Sequence, residues 1–162
     1  MSFATAPVNL AGPNTTFPTE RRMAQRNLVL ILARDLADKL ASAVFLVDDQ
    51  GTLVYFNERA AEILGRTYAE SGSMRLEEWS KAFSPMDLDG SDLPAEDLPL
   101  IVALRDHQPA HRVFRIRSMD GNTRDIAVTA LPFFARKGEF VGAAAIFWEH
   151  RLEPTADGSG DR

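Results

Sequence analysis

Residues 43–65 read AVFLVDDQGTLVYFNERAAEILG, and this stretch decides the fold. Residues 43–48 and 52–56 are two short runs of strand-forming side chains, and the Asp-Gln-Gly turn between them predicts a β-hairpin. Asn57 can then cap a helix, because an asparagine side chain accepts a hydrogen bond from the first helical turn, and Gly65 can end that helix. The stretch therefore predicts a hairpin that leads directly into a short helix.

Downstream of this stretch, the pattern predicts two more short helices and then three strands. They cover residues 76–83, 96–106, 111–118, 123–134 and 140–150. Turn residues separate the three strands, so the strands can form an antiparallel meander. Together with the hairpin they make one five-stranded antiparallel sheet with the helices gathered on one face, which is an α+β fold.

Upstream, residues 19–42 have the pattern of a helix that is apolar on more than one side. Four leucines recur at every fourth residue, and two more apolar side chains widen their stripe. These residues are Leu28, Leu32, Leu36 and Leu40, with Val29 and Ile31 beside them. We expect one apolar surface to pack on the domain and the other on a second copy, the alternative being a monomer that buries both. Residues 1–18 and 151–162 are predicted as flexible ends, which leaves 43–150 as the folded domain.

Composition excludes several classes of protein. The 162 residues include no cysteine, which rules out disulfides, cysteine-ligated zinc, iron–sulfur clusters and cysteine nucleophiles. The net charge of −5 argues against a nucleic-acid-binding protein. The longest apolar run, residues 28–33, is far shorter than the roughly 20 residues that span a bilayer, and the amino terminus lacks the pattern of an export signal. We therefore expect a cytoplasmic protein that binds neither nucleic acid nor membrane.

Several short motifs between residues 41 and 150 resemble, in order and spacing, those of the PAS family of sensory domains. In chain order they are Val47-Asp-Asp-Gln-Gly51, Val54-Tyr-Phe-Asn57, Asn57-Glu-Arg-Ala-Ala-Glu-Ile-Leu-Gly-Arg66, Asp89-Gly90, Leu93-Pro94, Leu98-Pro-Leu100, Asp120-Gly121, Leu131-Pro132 and Gly138-Glu-Phe-Val-Gly142. The resemblance implies a five-stranded antiparallel sheet whose concave face, covered by short helices, encloses a cavity for a ligand or cofactor. It also implies that the flanking helix mediates dimerisation.

Strand parity predicts which side chains face that cavity. A three-residue turn at 120–122 pairs Ile116 with Ile126 and Phe114 with Val128, and the helices must cover the apolar side. The same count extends to the last strand. The predicted lining comprises Leu64, Trp79, Phe83, Leu100 and Leu104 from the helices, and Phe114, Ile116, Ile126, Val128, Ala130, Ala144, Ile146 and Trp148 from the strands. These side chains either surround a small, mostly apolar ligand or fill the space themselves as core.

A flavin- or haem-binding sensor is the alternative to a module that binds a small ligand or a protein partner. Flavin sensors of the resembled family form an adduct through a cysteine, and this chain has none. Their strand amides match Ile116, Ile126 and Ala144 here, and all three are apolar. Haem sensors use a histidine in the helix before the third strand, and that helix has no histidine here. We therefore expect no cofactor.

The polar residues of the chain form no recognisable catalytic or metal-binding motif. The three histidines, His107, His111 and His150, are predicted at the surface or at strand edges. The run from Asp87 to Gly90 lacks the glycine and glutamate spacing of a calcium loop. We therefore expect a sensory module rather than an enzyme, with no bound metal. It would signal through a homodimer or a separate effector protein, because no effector domain follows in this chain.

Overall fold

The helices and strands follow the predicted order along the chain, with one additional short helix at Tyr68–Ser71. The computed structural model describes residues 18–151, and the predicted flexible ends lie outside these residues except for Pro18 and Arg151. The helices are α1 (Pro18–Lys39), α2 (Glu58–Leu64), α3 (Tyr68–Ser71), α4 (Leu76–Ala82) and α5 (Pro99–Asp106), and the strands are β1 (Ala43–Asp48), β2 (Leu53–Phe56), β3 (Ala110–Arg117), β4 (Thr123–Phe134) and β5 (Phe140–Glu149). Short 3₁₀ turns at Ala95–Asp97 and Arg136–Gly138 precede α5 and β5.

All five strands join one antiparallel sheet in the order β2-β1-β5-β4-β3. On one side, which we call the inner face, α2, α4 and α5 pack over the main hydrophobic core. On the other side, the outer face, α1 packs over a smaller cluster of apolar side chains. The structure confirms the predicted α+β fold with a five-stranded antiparallel sheet, short helices on one face and an amino-terminal flanking helix.

Asn57 fixes the junction between the hairpin and α2, as the sequence predicts. Its backbone is extended and its side chain accepts a hydrogen bond from the backbone N–H of Ala60 at 3.0 Å, so it is the amino-terminal cap of the helix. The helix ends at Gly65, whose φ of 76° suits a residue without a side chain. A Cβ there would also lie 2.7 Å from the backbone nitrogen of Asp120.

The register of the β3–β4 hairpin differs by two residues from the prediction. Phe114 pairs with Ile126 rather than with Val128. The loop closes one residue earlier than expected on each side, because the backbone N–H of Ser118 donates to the carbonyl of Asn122 at 2.8 Å. A shift of two residues keeps every side chain on its face, so the β3 and β4 residues predicted to face inward still do so.

A β-bulge in the β4–β5 hairpin determines which side chains of β5 face inward. Phe134 pairs with Phe140, but the next pair is Phe133 with Gly142, so Val141 is an extra residue on β5. Gly142 also packs tightly on β1, since a Cβ there would lie 2.2 Å from a backbone carbonyl oxygen of that strand. Side chains alternate along a strand, so one extra residue moves every later side chain to the opposite face.

The predicted inward orientation of three β5 residues is therefore wrong. Without the bulge, the β4 pairing would turn Ala144, Ile146 and Trp148 toward the inner face. Instead, Ala144 and Ile146 belong to the outer-face cluster, and Trp148 is 45% exposed. The β5 residues that point inward are Ala143, Ala145 and Phe147.

The flanking helix contacts the outer face through small residues and leaves its larger ones exposed. Ala37 is buried and Ala33 is half-buried against the sheet. Four large side chains, between 52% and 62% exposed, form what we call the apolar surface of α1: Leu28, Ile31, Leu32 and Leu36. Val29 is half-buried beside them, and Leu40 is 36% exposed just beyond the helix. Within residues 18–151, no helix has both the length and the apolar content to cross a membrane.

Candidate ligand cavity

A cavity of about 80 Å³ lies between the inner face of the sheet and the helices that cover it. Eight residues predicted from the sequence line it: Leu64, Trp79, Phe83, Leu100, Phe114, Ile116, Ile126 and Val128. Of the other predicted residues, Ala130 is buried in the surrounding core and Leu104 packs against that core, but neither lines the cavity. Ala144, Ile146 and Trp148 lie outside it, for the reason given above.

The wall of the cavity presents only carbon atoms to a ligand. Trp79 carries an N–H group, but this group donates to the carbonyl oxygen of Gly51 at 2.8 Å and is not available to a ligand. The other indole, that of Trp148, is outside on the surface. A polar group placed in this cavity would lose its hydrogen bonds to water and gain none, which costs a few kcal/mol.

Aromatic contacts hold one wall of the cavity in place. The ring of Phe45 on β1 stacks on that of Phe56 on β2, with ring centroids 6.0 Å apart. The rings of Phe45 and Trp79 meet edge to face, with centroids 5.5 Å apart. Since aromatic pairs in these geometries add to the stability that burial already gives, the β1 wall and α4 form a well-packed unit. A ligand that enters the cavity therefore contacts β1 directly.

Seven residues that line the cavity are not among those predicted from the sequence. They are Phe45, Ser80, Pro85, Leu98, Pro99, Ala145 and Phe147. The first five residues of β1 are all buried, so that strand shows no alternation that could assign Phe45 to a face. Strand parity assigns Ala145 and Phe147 to the outer face when the bulge is not counted, although Gly142, which follows the extra residue, is present in the sequence. Pro85 follows α4, and Leu98 and Pro99 lie at the start of α5, where no strand parity applies.

Asn57 connects the cavity-bearing sheet to α1. It is 3% exposed, and its Oδ1 accepts hydrogen bonds from the backbone N–H groups of Val44 and Ala60, each at 3.0 Å. Its Nδ2 donates to the carbonyls of Ala37 at 2.8 Å and Ser42 at 2.9 Å. One buried side chain therefore joins β1, the start of α2, and the end of α1.

Tyr55 makes a second connection at the same end of α1. Its hydroxyl donates a hydrogen bond to the carboxylate of Asp38, and the guanidinium of Arg34 lies 4.4 Å from the centre of its ring. Burial and the bond to Asp38 raise the pKa of Tyr55 to about 12. Both contacts hold the carboxyl-terminal turns of α1 against β2, next to the Asn57 junction.

Charged and titratable groups lie away from the cavity. Arg115, on the outer face of β3, donates to both carboxylate oxygens of Asp125 at 2.6 and 3.0 Å, and these bonds lower the pKa of Asp125. His107 stacks on Phe140 with ring centroids 4.1 Å apart, and a ring nitrogen of His111 lies 2.8 Å from the hydroxyl of Thr129. Across residues 18–151, no three acidic or histidine side chains are placed to share a metal ion.

Residues 32–93 match the family model of the PAS domain. The chain contains a PAS domain. Its fold is similar to that of the PAS domain of a protein from Colwellia psychrerythraea, with a TM-score of 0.55 and 17% identity, over 75% of this chain and 97% of that one. No curated protein matches the sequence.

Light-oxygen-voltage proteins are also similar to this PAS domain in structure. The protein from Rhodobacter sphaeroides has a TM-score of 0.55 and 15% identity, over 83% of this chain and 70% of that one. An RNA-binding light-oxygen-voltage receptor has a TM-score of 0.57 and 18% identity, over 89% of this chain but 37% of that one. At these identities the likeness shows the fold alone.

Proposed function

We propose that this protein is a sensory module whose PAS domain binds a small, mostly apolar ligand and signals through a homodimer. The cavity carries the proposal, because its wall presents only carbon atoms and lies directly against β1. Such a wall favours a nonpolar molecule over water or a polar metabolite. In this proposal the protein binds its ligand without chemical change and acts in the cytoplasm on a separate effector protein.

The volume of the cavity limits the size of the ligand. About 80 Å³ is roughly half the volume of an engineered apolar cavity of about 150 Å³ that stays dry and accepts benzene or xenon. A molecule of a few heavy atoms, or the apolar end of a longer one, fits without displacement of α4 or α5. A larger ligand would need these helices to move outward.

Flavin and haem do not fit the residues present. The inner-face positions that hold polar side chains in flavin sensors are Ile116, Ile126 and, once the bulge is counted, Ala145, and none of the three can bond the edge of a flavin. No histidine lines the cavity to ligate haem iron. A purified protein without visible absorption is the expected result, and the absorption bands of either cofactor would contradict the proposal.

A route from the cavity to α1 supports the signalling role. Phe45 lines the cavity, while its neighbours Val44 and Leu46 lie under α1 on the outer face. A ligand that displaces β1 therefore also moves the surface on which α1 packs and the Asn57 hydrogen bonds at the carboxyl-terminal end of α1. The exposed apolar surface of α1 is then the part of the molecule whose position reports the occupancy of the cavity.

Xenon is the probe for the cavity, because it is nonpolar and small. Under xenon pressure, the amide resonance of Phe45 and the amide and methyl resonances of Val128 and Ala145 should shift in a saturable way. Ala145→Val fills part of the cavity and should abolish the response, whereas Ala41→Val, the same substitution at an exposed position, should retain it. Circular dichroism confirms that each variant is folded.

Two outcomes contradict the ligand proposal. One is a wild-type protein whose cavity resonances do not respond to xenon, which would mean that the side chains themselves fill the space. The other is an unchanged response in folded Ala145→Val, which would place the xenon elsewhere.

Light scattering tests the dimer. The wild-type chain should have twice the monomer mass, and Leu32→Glu should reduce it to the monomer because each copy would then bury an unpaired charge in the apolar contact. Leu88→Glu, at a leucine 37% exposed and outside α1, is the matched control and should stay dimeric. A wild-type monomer, or a dimeric Leu32→Glu, would refute this part of the proposal.

A further inference from the structure

Two oppositely charged residues lie along the exposed face of α1, and the inference that they support rests on the proposed dimer. Leu28 lies at the middle of Pro18–Lys39. Arg21 is seven residues before it and Asp35 seven after, and all three are exposed. Residues seven apart lie on nearly the same side of a helix. Along the exposed face of α1, Arg21 therefore lies before the apolar surface, Asp35 lies between Leu32 and Leu36, and Lys39 follows at the end of the helix.

This face points directly away from the sheet. Ala37, which is buried on the outer face, is nine residues from Leu28, and at 3.6 residues per turn this places it on the opposite side of the helix. A second copy can therefore approach Leu28 without meeting the sheet of the first. In such a pair, the two α1 helices would lie between the two sheets.

We propose that two copies pair through antiparallel α1 helices, on a two-fold axis that passes close to Leu28. The two helices of 22 residues then overlap along their whole length. Leu28 meets Leu28 of the second copy at the centre. Arg21 of each copy lies opposite Asp35 of the other, so the two ends of the contact carry equivalent ion pairs.

The parallel arrangement of the same helices is unfavourable for the same residues. It places Arg21 beside Arg21 and Asp35 beside Asp35 of the second copy, so that like charges face each other at two points along the contact. Such charges beside a helix–helix contact select partner and direction. The charge complementarity of α1 with its own reversed copy is the reason to choose a second copy as the occupant of this surface.

Asp35 already has a partner within its own helix, and this contact is compatible with the proposal. Lys39 donates to Oδ2 of Asp35 at 2.6 Å, in a pair whose side chains are both about two-thirds exposed. An exposed pair of this kind contributes little by itself. Oδ1 of Asp35 is left to accept from Arg21 of the second copy.

The absence of cysteine makes single-cysteine crosslinking a direct test of direction. In an antiparallel pair, Arg21 of one copy lies near Asp35 of the other, but the two Arg21 positions are separated by fourteen residues of helix, about 21 Å. The variants are Arg21→Cys, Asp35→Cys and Leu28→Cys, each at an exposed position and each checked by circular dichroism and light scattering. Disulfide formation under mild oxidation is read on a non-reducing denaturing gel.

Antiparallel pairing predicts a specific pattern of crosslinks. Leu28→Cys should form a covalent dimer alone, and an equal mixture of Arg21→Cys and Asp35→Cys should form one that neither variant forms separately. A covalent dimer of Arg21→Cys alone would show parallel helices and overturn the proposal. If the chain is dimeric by light scattering but Leu28→Cys does not crosslink, the dimer uses another surface and the proposal also fails. A monomeric wild-type chain would instead refute the proposed dimer itself.

Discussion

Replacement of Asn57 by alanine should destabilise the domain by about 4 kcal/mol. The side chain makes four hydrogen bonds, one of which caps α2, while the others satisfy buried or half-buried backbone groups. Loss of a helix cap costs about 1 kcal/mol, and each of the three other bonds contributes about 1 kcal/mol net. The cost is larger where a buried N–H, such as that of Val44, is left without a partner.

Urea unfolding followed by tryptophan fluorescence measures this change, because Trp79 is buried in the core that unfolds. With a denaturant dependence of about 2 kcal/mol per molar urea, the midpoint of Asn57→Ala should fall by roughly 2 M. Asn27→Ala, the same substitution at an exposed position of α1, is the control and should change stability by less than about 0.5 kcal/mol. A loss below about 1 kcal/mol at Asn57 would show that its four bonds do not fasten the fold.

Asn57→Asp separates the two roles of the side chain. One carboxylate oxygen can still accept from Val44 and Ala60, but the other faces the carbonyls of Ala37 and Ser42, which cannot donate. Amide hydrogen exchange in the last turns of α1 should therefore accelerate much more than exchange in α2. Equal acceleration in both helices would mean that Asn57 is not a specific connection to α1.

Two further perturbations test contacts of the outer face. Since burial and the bond to Asp38 raise the pKa of Tyr55 to about 12, an absorbance titration should show a tyrosinate transition near that pH, absent in Tyr55→Phe. The folded state holds this proton more tightly than the unfolded state, so the stability that the proton contributes is complete below pH 10 and is lost between about pH 10 and 12. The free energy of unfolding of the wild type, but not that of Tyr55→Phe, should therefore fall over this range. Gly142→Ala should cost at least about 2 kcal/mol in urea unfolding, because its Cβ would lie 2.2 Å from a carbonyl oxygen of β1. Gly138→Ala, also at positive φ but with open space, should cost only about 1 kcal/mol, and the reverse order would contradict the bulge geometry.

The sequence predicts those parts of the fold that depend on neighbouring residues. The Asp-Gln-Gly turn, the Asn57 cap and the Gly65 end of α2 are each defined within a few residues, and the structure has all three. The β3–β4 hairpin was predicted with a register error of two residues, which moves pairs along the strand but leaves each side chain on its face. The inward residues of β3 and β4 were therefore assigned to the correct face in spite of the error.

The β5 strand shows why an error of one residue has a larger effect. The bulge before Gly142 depends on how closely β5 approaches β1, a contact between segments almost a hundred residues apart that no local pattern contains. Because it inserts a single residue, it reversed the predicted faces of Ala144, Ile146 and Trp148. For β1, uniform burial removes the alternation that parity requires, so Phe45 could be placed only by the structure.

The way in which α1 is attached to the sheet allows the helix to tilt about its carboxyl-terminal end. Ala33 and Ala37 contribute only small side chains to the outer-face cluster, while hydrogen bonds from Asn57 and Tyr55 hold the helix near residues 37 and 38. Leu28 is about 15 Å from residues 37 and 38 along the helix, at 1.5 Å per residue. A tilt of about 5° therefore displaces Leu28 by about 1.3 Å, roughly the radius of a water molecule. The Arg26–Asp49 ion pair restrains this part of α1 only weakly, since partly exposed ion pairs contribute little to stability.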